Sequence, residues 1–290
     1  MILLYIPLNK KGGLFLIDEL IYLLKFILLG FVQGFTEPLP VSSSGHIVII
    51  KDLFNVFTPG LSFEILVHFG SLIAVIIIYR KDLLELISDS FNYLMSRDEQ
   101  YKNSFLFSFY LLLATFITGV IGLAFEQYIS EELTKPFFAG VALLVTGFFI
   151  WIIRNLHGQK ADKDLSIKDA IIIGLAQSVA LIPGISRSGA TVVAAMLLGM
   201  KRETALRFSF LLFIPVSVGI NILSFNDIIT DEHFMPNLIP YTVAFLTSLL
   251  ATYYALKVFI HVMIKGKLII FSIYCFVVGT AVIFYYLPLH

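Results

Sequence analysis

The chain has 290 residues, of which 58% are hydrophobic and only 14% are charged, and its mean hydropathy is +0.92. Soluble domains carry about 25% charged residues, so this composition excludes an ordinary soluble protein and indicates an integral membrane protein. Twenty basic and twenty acidic residues balance each other, so no excess of positive charge predicts a nucleic-acid partner.

The apolar segments follow one another in a repeated order. The first region, about 19–53, is interrupted near its middle by Pro, Ser and Gly, and its two pieces are predicted to be too short to span the membrane. Three uninterrupted spans are predicted next, at 63–80, 104–124 and 136–153. A second interrupted region, about 167–200, follows, and the last three spans are predicted at 207–224, 238–259 and 268–287. Because irregular backbone at membrane depth must be buried in protein or face a polar cavity, we expect each interrupted region to form a re-entrant helix pair.

The two interrupted regions match each other at a constant offset of 144 residues. The identical pairs are Gly30 and Gly174, Gln33 and Gln177, Ser42 and Ser186, Ser44 and Ser188, and Gly45 and Gly189. This predicts a single membrane domain, 1–290, with internal repeats at about 19–153 and 167–287. Since each repeat has three spans, an odd number, the second repeat must be inverted. The predicted fold is an all-α polytopic membrane protein with about six spans, two re-entrant pairs and an inverted-topology repeat.

The basic residues predict an orientation, because loops on the cytoplasmic side are rich in Lys and Arg. If the loop 80–103 is inside, fourteen of the twenty Lys and Arg residues lie in the inner segments 80–103, 154–168, 201–207 and 257–267. Five lie in outer segments. Both termini are then expected outside, with the first hairpin entering from outside and the second from inside.

Each interruption places serines where its second helix is expected to begin. Ser42, Ser43 and Ser44 follow Pro40, while Ser186 and Ser188 follow the Pro-Gly pair at 183–184. A serine at a helix N-terminus can simply be a cap, which is worth about 1 kcal/mol. Two helix N-termini that point at each other also form an anion site, because their free N–H groups carry partial positive charge.

Two charged residues and one histidine accompany these serines. Arg187 costs at least about 2.5–3.5 kcal/mol within a membrane segment, so it indicates function, and its planar donors suit phosphate oxygens. The alternative to a functional role is a structural ion pair between Arg187 and Glu37. The charges of these two residues would cancel, so the partial positive charges of the helix N-termini would make the site favour an anion. Gln33 and Glu37 are four residues apart and can face one cavity. His46 lies three residues after Ser43 and is placed to exchange a proton with a hydroxyl or a phosphate oxygen. The other histidines, including His68, have no polar company in the sequence and are expected to be packing residues.

These residues resemble the signatures of the bacterial undecaprenyl-diphosphate phosphatases of the bacitracin-resistance type. The family pattern of Glu or Gln, three residues and then Glu matches Gln33 and Glu37, ahead of PVSSSGH at 40–46. The pattern Pro-Gly-x-Ser-Arg-Ser-x-x-Thr matches PGISRSGAT at 183–191. Gln at position 33 weakens any mechanism that needs a carboxylate there.

The resemblance implies a site and a reaction. It implies hydrolysis of a polyprenyl diphosphate lipid to the monophosphate on the outer face of the bacterial cytoplasmic membrane, which recycles the carrier for cell-wall synthesis. Glu37 is implied to bind a divalent cation (Mg or Ca) or to orient water, Ser43 to be a nucleophile or phosphate ligand, and His46 to be the acid–base or nucleophilic residue. Homodimerisation is also a family property. The candidate substrate-binding residues, beside the catalytic Arg187, are Gln33, Ser42, Ser44, Ser186, Ser188 and Thr191.

Two other functions compete with this interpretation. A transporter or flippase for a lipid phosphate is favoured by inverted repeats with discontinuous helices. A lipid phosphatase of the type-2 family also has a Ser-Gly-His sequence, but it needs a second histidine with its own carboxylate and a separate Arg-Pro motif, which are not found here.

Overall fold

The computed structural model describes residues 12–58, 61–125, 133 and 135–287, with side chains from residue 17 onward. The predicted domain, 1–290, extends beyond these residues. Within them the chain forms α-helices and no strand, which confirms the all-α prediction. The helices are α1 (Gly12–Thr36), α2 (Ser43–Leu53), α3 (Ser62–Ser96), α4 (Lys102–Phe125), α5 (Pro136–Ile153), α6 (Ile167–Val179), α7 (Arg187–Leu197), α8 (Arg202–Leu223), α9 (Phe225–Thr230), α10 (Leu238–Ile264) and α11 (Ile269–Tyr286).

Seven helices of the described chain are long and apolar enough to cross a membrane, so the protein is a multi-pass membrane protein. Six of them, α3, α4, α5, α8, α10 and α11, correspond to the six predicted spans. The seventh is Ile17–Thr36, within α1. The prediction that both pieces of region 19–53 are too short is therefore wrong for the first piece, because its helix begins seven residues earlier, at Gly12. The corresponding α6 has 13 residues, or about 20 Å at 1.5 Å per residue, and is too short to span.

The two short helices pack back against the helices that precede them. α2 contacts α1 and α7 contacts α6, and three long helices follow each pair. In the second half the small helix α9 lies between α8 and α10. The order of elements is that of the predicted repeats, whereas the inversion of the second repeat stays a prediction.

Helix α1 lies directly on α10. A Cβ atom at Gly30 would overlap the carbonyl oxygen of Ala244, and one at Gly34 would overlap that of Ser248. Small residues four apart on both helices let the two backbones touch, which is how helices associate in a membrane when no hydrophobic force distinguishes protein from lipid. Gln33 precedes Gly34 directly and Glu37 follows it by three residues, so the packing of α1 on α10 helps to place both.

Helix α3 is joined to α10 by hydrogen bonds between buried groups. The Ser248 hydroxyl donates to the carbonyl of Val67 at 2.7 Å, and the Thr252 hydroxyl donates to Ser71 at 2.9 Å. Val67 immediately precedes His68, so this contact sets the depth and rotation of His68.

The predicted inner segments come together at one end of the helix bundle. Arg207 of α8 donates to Asp82 of α3 at 2.7 Å and also to Asp162, and the Arg202 guanidinium donates to the carbonyl of Leu156 at 3.4 Å and lies against Gly266. Segments 80–103, 154–168, 201–207 and 257–267 therefore share one end, as the predicted orientation requires. The side of the membrane that this end faces stays a prediction.

Candidate active site

The turns that follow α1 and α6 meet in the interior of the protein. The backbone N–H of Gly184 donates to the Ser44 hydroxyl at 3.2 Å, and the Ser188 hydroxyl donates to the carbonyl of Leu39 at 3.0 Å. The two helix pairs therefore touch at their tips. The N-termini of α2 and α7 consequently lie side by side.

The first serine of each group caps its helix. The Ser42 hydroxyl accepts the backbone N–H of Gly45 at 3.2 Å, and the Ser186 hydroxyl accepts that of Gly189 at 3.1 Å. Ser42 adopts a positive φ of 65°, a conformation that non-glycine residues rarely take. Ser43 follows this turn, and its hydroxyl donates to Glu37 instead of capping the helix.

Glu37 is the centre of the site. Its Oε2 accepts hydrogen bonds from Gln33 Nε2 at 2.7 Å and from Ser43 Oγ at 2.5 Å, and its Oε1 accepts from Arg187 Nη2 at 2.5 Å. The Glu37 side chain is 5% exposed. The ion pair between Glu37 and Arg187 that the sequence allowed is present, and it joins the first helix pair to the second.

A cavity of about 440 Å³ opens beside this cluster. It extends past Lys51 at the end of α2, Glu64 at the start of α3 and Asn221 near the end of α8, so it leads away from the end where Arg207 lies. Lys51 and Glu64 form an ion pair on its wall. Seven of the ten predicted site residues line it: Gln33, Glu37, Ser42, Ser43, Ser44, Ser186 and Arg187.

The sequence as a whole matches a known protein family. The family model described as bacitracin resistance protein BacA matches residues 26–281. This chain belongs to the BacA family.

Curated relatives cover nearly the full length of the chain. Undecaprenyl-diphosphatase 1 of Bacillus cereus is 52% identical over 263 residues, which are 91% of this chain and 97% of the relative. Undecaprenyl-diphosphatase 1 of Halalkalibacterium halodurans is 52% identical over 266 residues, 92% of this chain and 97% of the relative. The undecaprenyl-diphosphatase of Oceanobacillus iheyensis is 50% identical over 264 residues, 90% of this chain and 95% of the relative. The family resemblance seen in the motifs is confirmed.

Two residues of the second BacA motif do not line the large cavity. The Ser188 hydroxyl is directed at the backbone of the first tip, and the Thr191 hydroxyl donates to the carbonyls of Arg187 and Ser188, both at 3.2 Å, within its own helix. Both border a space of about 10 Å³ beside the Glu37–Arg187 pair, which has room for about one water. Their predicted contact with a phosphate stays a prediction.

His46 also lies outside the residues that line the large cavity. Its Nδ1 is 2.7 Å from the carbonyl oxygen of Ser42, and its Nε2 is 2.7 Å from the hydroxyl of Tyr274 on α11, with the two rings stacked. A carbonyl can only accept, so Nδ1 carries a proton and donates it. No hydrogen bond among the described residues joins His46 to Glu37, Ser43 or Arg187, and its acid–base role stays a prediction. Tyr274 lies in an apolar, aromatic-rich span, where the sequence offers no signal for it.

His68 is a site residue that the sequence analysis missed. Its Nε2 lies 2.6 Å from Arg187 Nη2 and 3.5 Å from Glu37 Oε1, and it lines the cavity. The expectation that His68 is a packing residue is wrong, because α3 carries it into the same cluster as the two tips. A histidine inside a transmembrane segment was the available signal, since buried ionisable groups in membranes are expensive and usually functional.

Among the described residues two carboxylates line the large cavity, Glu37 in the central cluster and Glu64, which is paired with Lys51. No group of three His, Cys, Asp or Glu side chains suited to a metal ion is found among the described residues. Mg²⁺ is commonly bound by one or two carboxylates together with substrate phosphates and water. Glu37 fits that kind of site, in which the substrate supplies most of the oxygen ligands.

Proposed function

We propose that this protein hydrolyses undecaprenyl diphosphate to undecaprenyl phosphate and inorganic phosphate. The observation that carries the proposal is the Glu37 cluster, in which Ser43 and Arg187 are both within hydrogen-bond distance of one buried carboxylate beside a cavity. The names of the curated relatives, at about half identity over almost the whole chain, support the same substrate.

The charges of the site suit a diphosphate. The N-termini of α2 and α7 contribute partial positive charge, and Arg187 contributes a full charge with planar donors that match phosphate oxygens. Phosphoryl transfer depends mainly on positioning and on stabilising charge in the transition state, and a preorganised buried site supplies both. Ser42, Ser44 and Ser186 add hydroxyl groups along the cavity wall.

The hydrogen bond from Ser43 to Glu37 supports Ser43 as the nucleophile and Glu37 as its base. The Ser43 oxygen bonds to the terminal phosphorus while the bond from that phosphorus to the bridging oxygen breaks, and the Ser43 proton passes to Glu37. Undecaprenyl phosphate leaves. The oxygen of a water then bonds to the phosphorus of the phosphoserine while the bond from phosphorus to Ser43 Oγ breaks, the proton on Glu37 returns to Ser43, and inorganic phosphate is released. A divalent cation held by Glu37 and the phosphates would neutralise part of the diphosphate charge.

The substrate is proposed to enter from the outer face of the bacterial cytoplasmic membrane. The cavity leads toward the end opposite the basic segments, and the rule that basic loops lie in the cytoplasm puts that end outside. The apolar tail lies between helices and in the lipid while the diphosphate reaches the tips. Recycling of the carrier for cell-wall synthesis follows from this reaction. A homodimer, expected from the family resemblance, stays a prediction.

Phosphate release in detergent tests the proposal. Purified protein without a membrane compartment is expected to liberate inorganic phosphate from undecaprenyl diphosphate with a divalent cation present, whereas Arg187→Ala is expected to release none above background. A folded wild-type protein that releases no phosphate in Mg²⁺ or Ca²⁺ would contradict the proposal and favour a lipid-phosphate transporter. An active Arg187→Ala protein would contradict the assigned site.

A further inference from the structure

One nitrogen of Arg187 donates to two acceptors that lie on different parts of the helix bundle. Nη2 lies 2.5 Å from Glu37 Oε1, which follows α1, and 2.6 Å from His68 Nε2 on α3. Nη2 has two hydrogen atoms, so each acceptor can take one. Both hydrogen atoms of this nitrogen are therefore used inside the protein.

The protonation of His68 at this contact follows from its partner. A guanidinium can only donate, so the Nε2 of His68 must accept and the proton of the neutral ring is on Nδ1. His68 Nε2 and Glu37 Oε1 are 3.5 Å apart. Both atoms accept from Arg187 Nη2, so no hydrogen bond joins them to each other. His68 fixes Arg187 without adding negative charge, whereas a second carboxylate at this position would cancel the attraction for an anion.

Phe213 of α8 supports both residues. The Arg187 guanidinium lies over the Phe213 ring, 5.0 Å from its centre, and the His68 ring centre lies 5.3 Å from it. The Arg187 guanidinium thus contacts the Glu37 carboxylate, the neutral His68 ring and the face of the Phe213 ring. A guanidinium bounded in this way has little freedom to rotate.

The remaining donors of Arg187 are available to a ligand. Nη1 and Nε have no hydrogen-bond partner among the described residues, and the side chain is 20% exposed and lines the cavity. Nη1 carries two hydrogen atoms and Nε carries one, so three donors of the guanidinium remain for the oxygens of a phosphate.

We infer that His68 is a positioning residue, which holds the Arg187 guanidinium by Nη2 so that its free Nη1 donors meet the terminal phosphate of the substrate. This inference rests on the proposed phosphatase function. The proposed role depends on the hydrogen-bond acceptor Nε2 of His68. A side chain that places an acceptor atom at the same position should therefore replace histidine, and a side chain that has no acceptor should not.

Two substitutions separate the acceptor from the shape of His68. His68→Gln can place its amide oxygen near the position of Nε2, whereas His68→Leu fills similar space without an acceptor. We expect His68→Leu to lower kcat/KM for phosphate release by about 10- to 100-fold, the range for losing one hydrogen bond to a charged group, with most of the change in KM. His68→Gln should stay within about threefold of wild type, because a restored acceptor restores the bond.

The control is His261→Leu, a histidine on α10 outside the cavity lining, which should leave kcat/KM unchanged. Wild-type kcat/KM in a folded His68→Leu protein, or an equal loss in the Leu and Gln variants, would overturn the inference. If His68→Leu does not fold in detergent, a folded His68→Gln protein decides alone: near-wild-type kcat/KM supports the inference, and a loss of more than about tenfold overturns it. An inactive wild type would instead refute the proposed function, so the two failures are distinguishable.

Discussion

At the scale of single residues, Glu37 organises the site by accepting from Gln33, Ser43 and Arg187 at once. These donors come from α1, α2 and α7, so one carboxylate joins three helices. A buried ion pair of this kind is a weak source of stability, but removing one partner leaves an uncompensated charge and costs about 3–5 kcal/mol. The pair also gives Arg187 a partner of opposite charge at membrane depth, where a lone guanidinium would be expensive.

The role of Ser43 can be tested at this scale. Ser43→Ala removes the hydroxyl that bonds to Glu37 and should lower kcat for phosphate release by at least about 10³-fold if Ser43 is the nucleophile, because no other hydroxyl donates to that carboxylate in the described chain. Single-turnover phosphate release measures it, with Ser90→Ala on α3, whose hydroxyl bonds to Ser108, as the control. Retention of most activity would favour direct attack by water.

His46 offers a second test. Asn at this position can place a donor near the location of Nδ1 and keep the bond to the Ser42 carbonyl, whereas Ala cannot. If His46 orients the tip, His46→Asn should stay within about tenfold of wild-type kcat and His46→Ala should lose about 100-fold. Equal inactivity of both folded variants would instead support the predicted acid–base role. Steady-state phosphate release at several substrate concentrations separates these outcomes.

At the scale of elements, the two tips are built from backbone conformations that few residues adopt. Gly184 has a φ of +90°, and a Cβ atom there would lie 2.8 Å from the Cβ of Ala142 on α5. The turn therefore needs glycine for both its conformation and its space. Its N–H binds Ser44, so the conformation of one tip determines its contact with the other.

Gly184→Ala should consequently damage both stability and activity. Gly199 is a matched control, since its φ is +83° but nothing lies within 4 Å of a Cβ there. Gly199→Ala should lower the free energy of unfolding by about 1–2 kcal/mol, the cost of placing a Cβ atom on a left-handed backbone. Gly184→Ala should lower it further, because a steric clash is added and the tip is displaced. Thermal unfolding in detergent and phosphate release measure the difference. Equal effects of the two substitutions would show that the clash with Ala142 is unimportant.

At the scale of the whole molecule, the site depends on helices that meet far from its chemistry. α1 carries Gln33 and leads into Glu37, and its glycine face lies on α10, which in turn holds α3 and His68. A change in the α1–α10 distance therefore moves two parts of the Glu37 cluster relative to each other.

Gly34→Leu tests this dependence. A leucine there must push α1 away from the Ser248 backbone, so we expect the unfolding temperature in detergent to fall and phosphate release to drop by at least about tenfold. Gly119→Leu is the control, because no atom lies within 4 Å of a Cβ at that position of α4. If Gly34→Leu resembled the control in both measurements, the close α1–α10 contact would not determine the site.

Much of this arrangement could be predicted from the sequence, and the parts that could not have physical reasons. The polar residues of the site could be predicted because they interrupt long apolar regions. Gln33 and Glu37 could be assigned to one side of the site because residues four apart share a helix face. The length of α1 was underestimated because Asp18, Glu19 and Lys25 interrupt its hydropathy. His68 was missed because its partners are distant in sequence, and only the packing of α3 brings it to Arg187.

The hydrogen bonds between the tips have a further consequence for the membrane. Water in the large cavity can reach the Glu37–Arg187 pair from one end of the bundle, but the space beyond that pair holds about one water and is bordered by Val75, Phe210 and Phe213. The joined tips thus narrow the space beyond the Glu37–Arg187 pair to about the size of one water. A narrowing of this kind would let charged chemistry proceed within a bilayer while opposing the passage of hydrated ions.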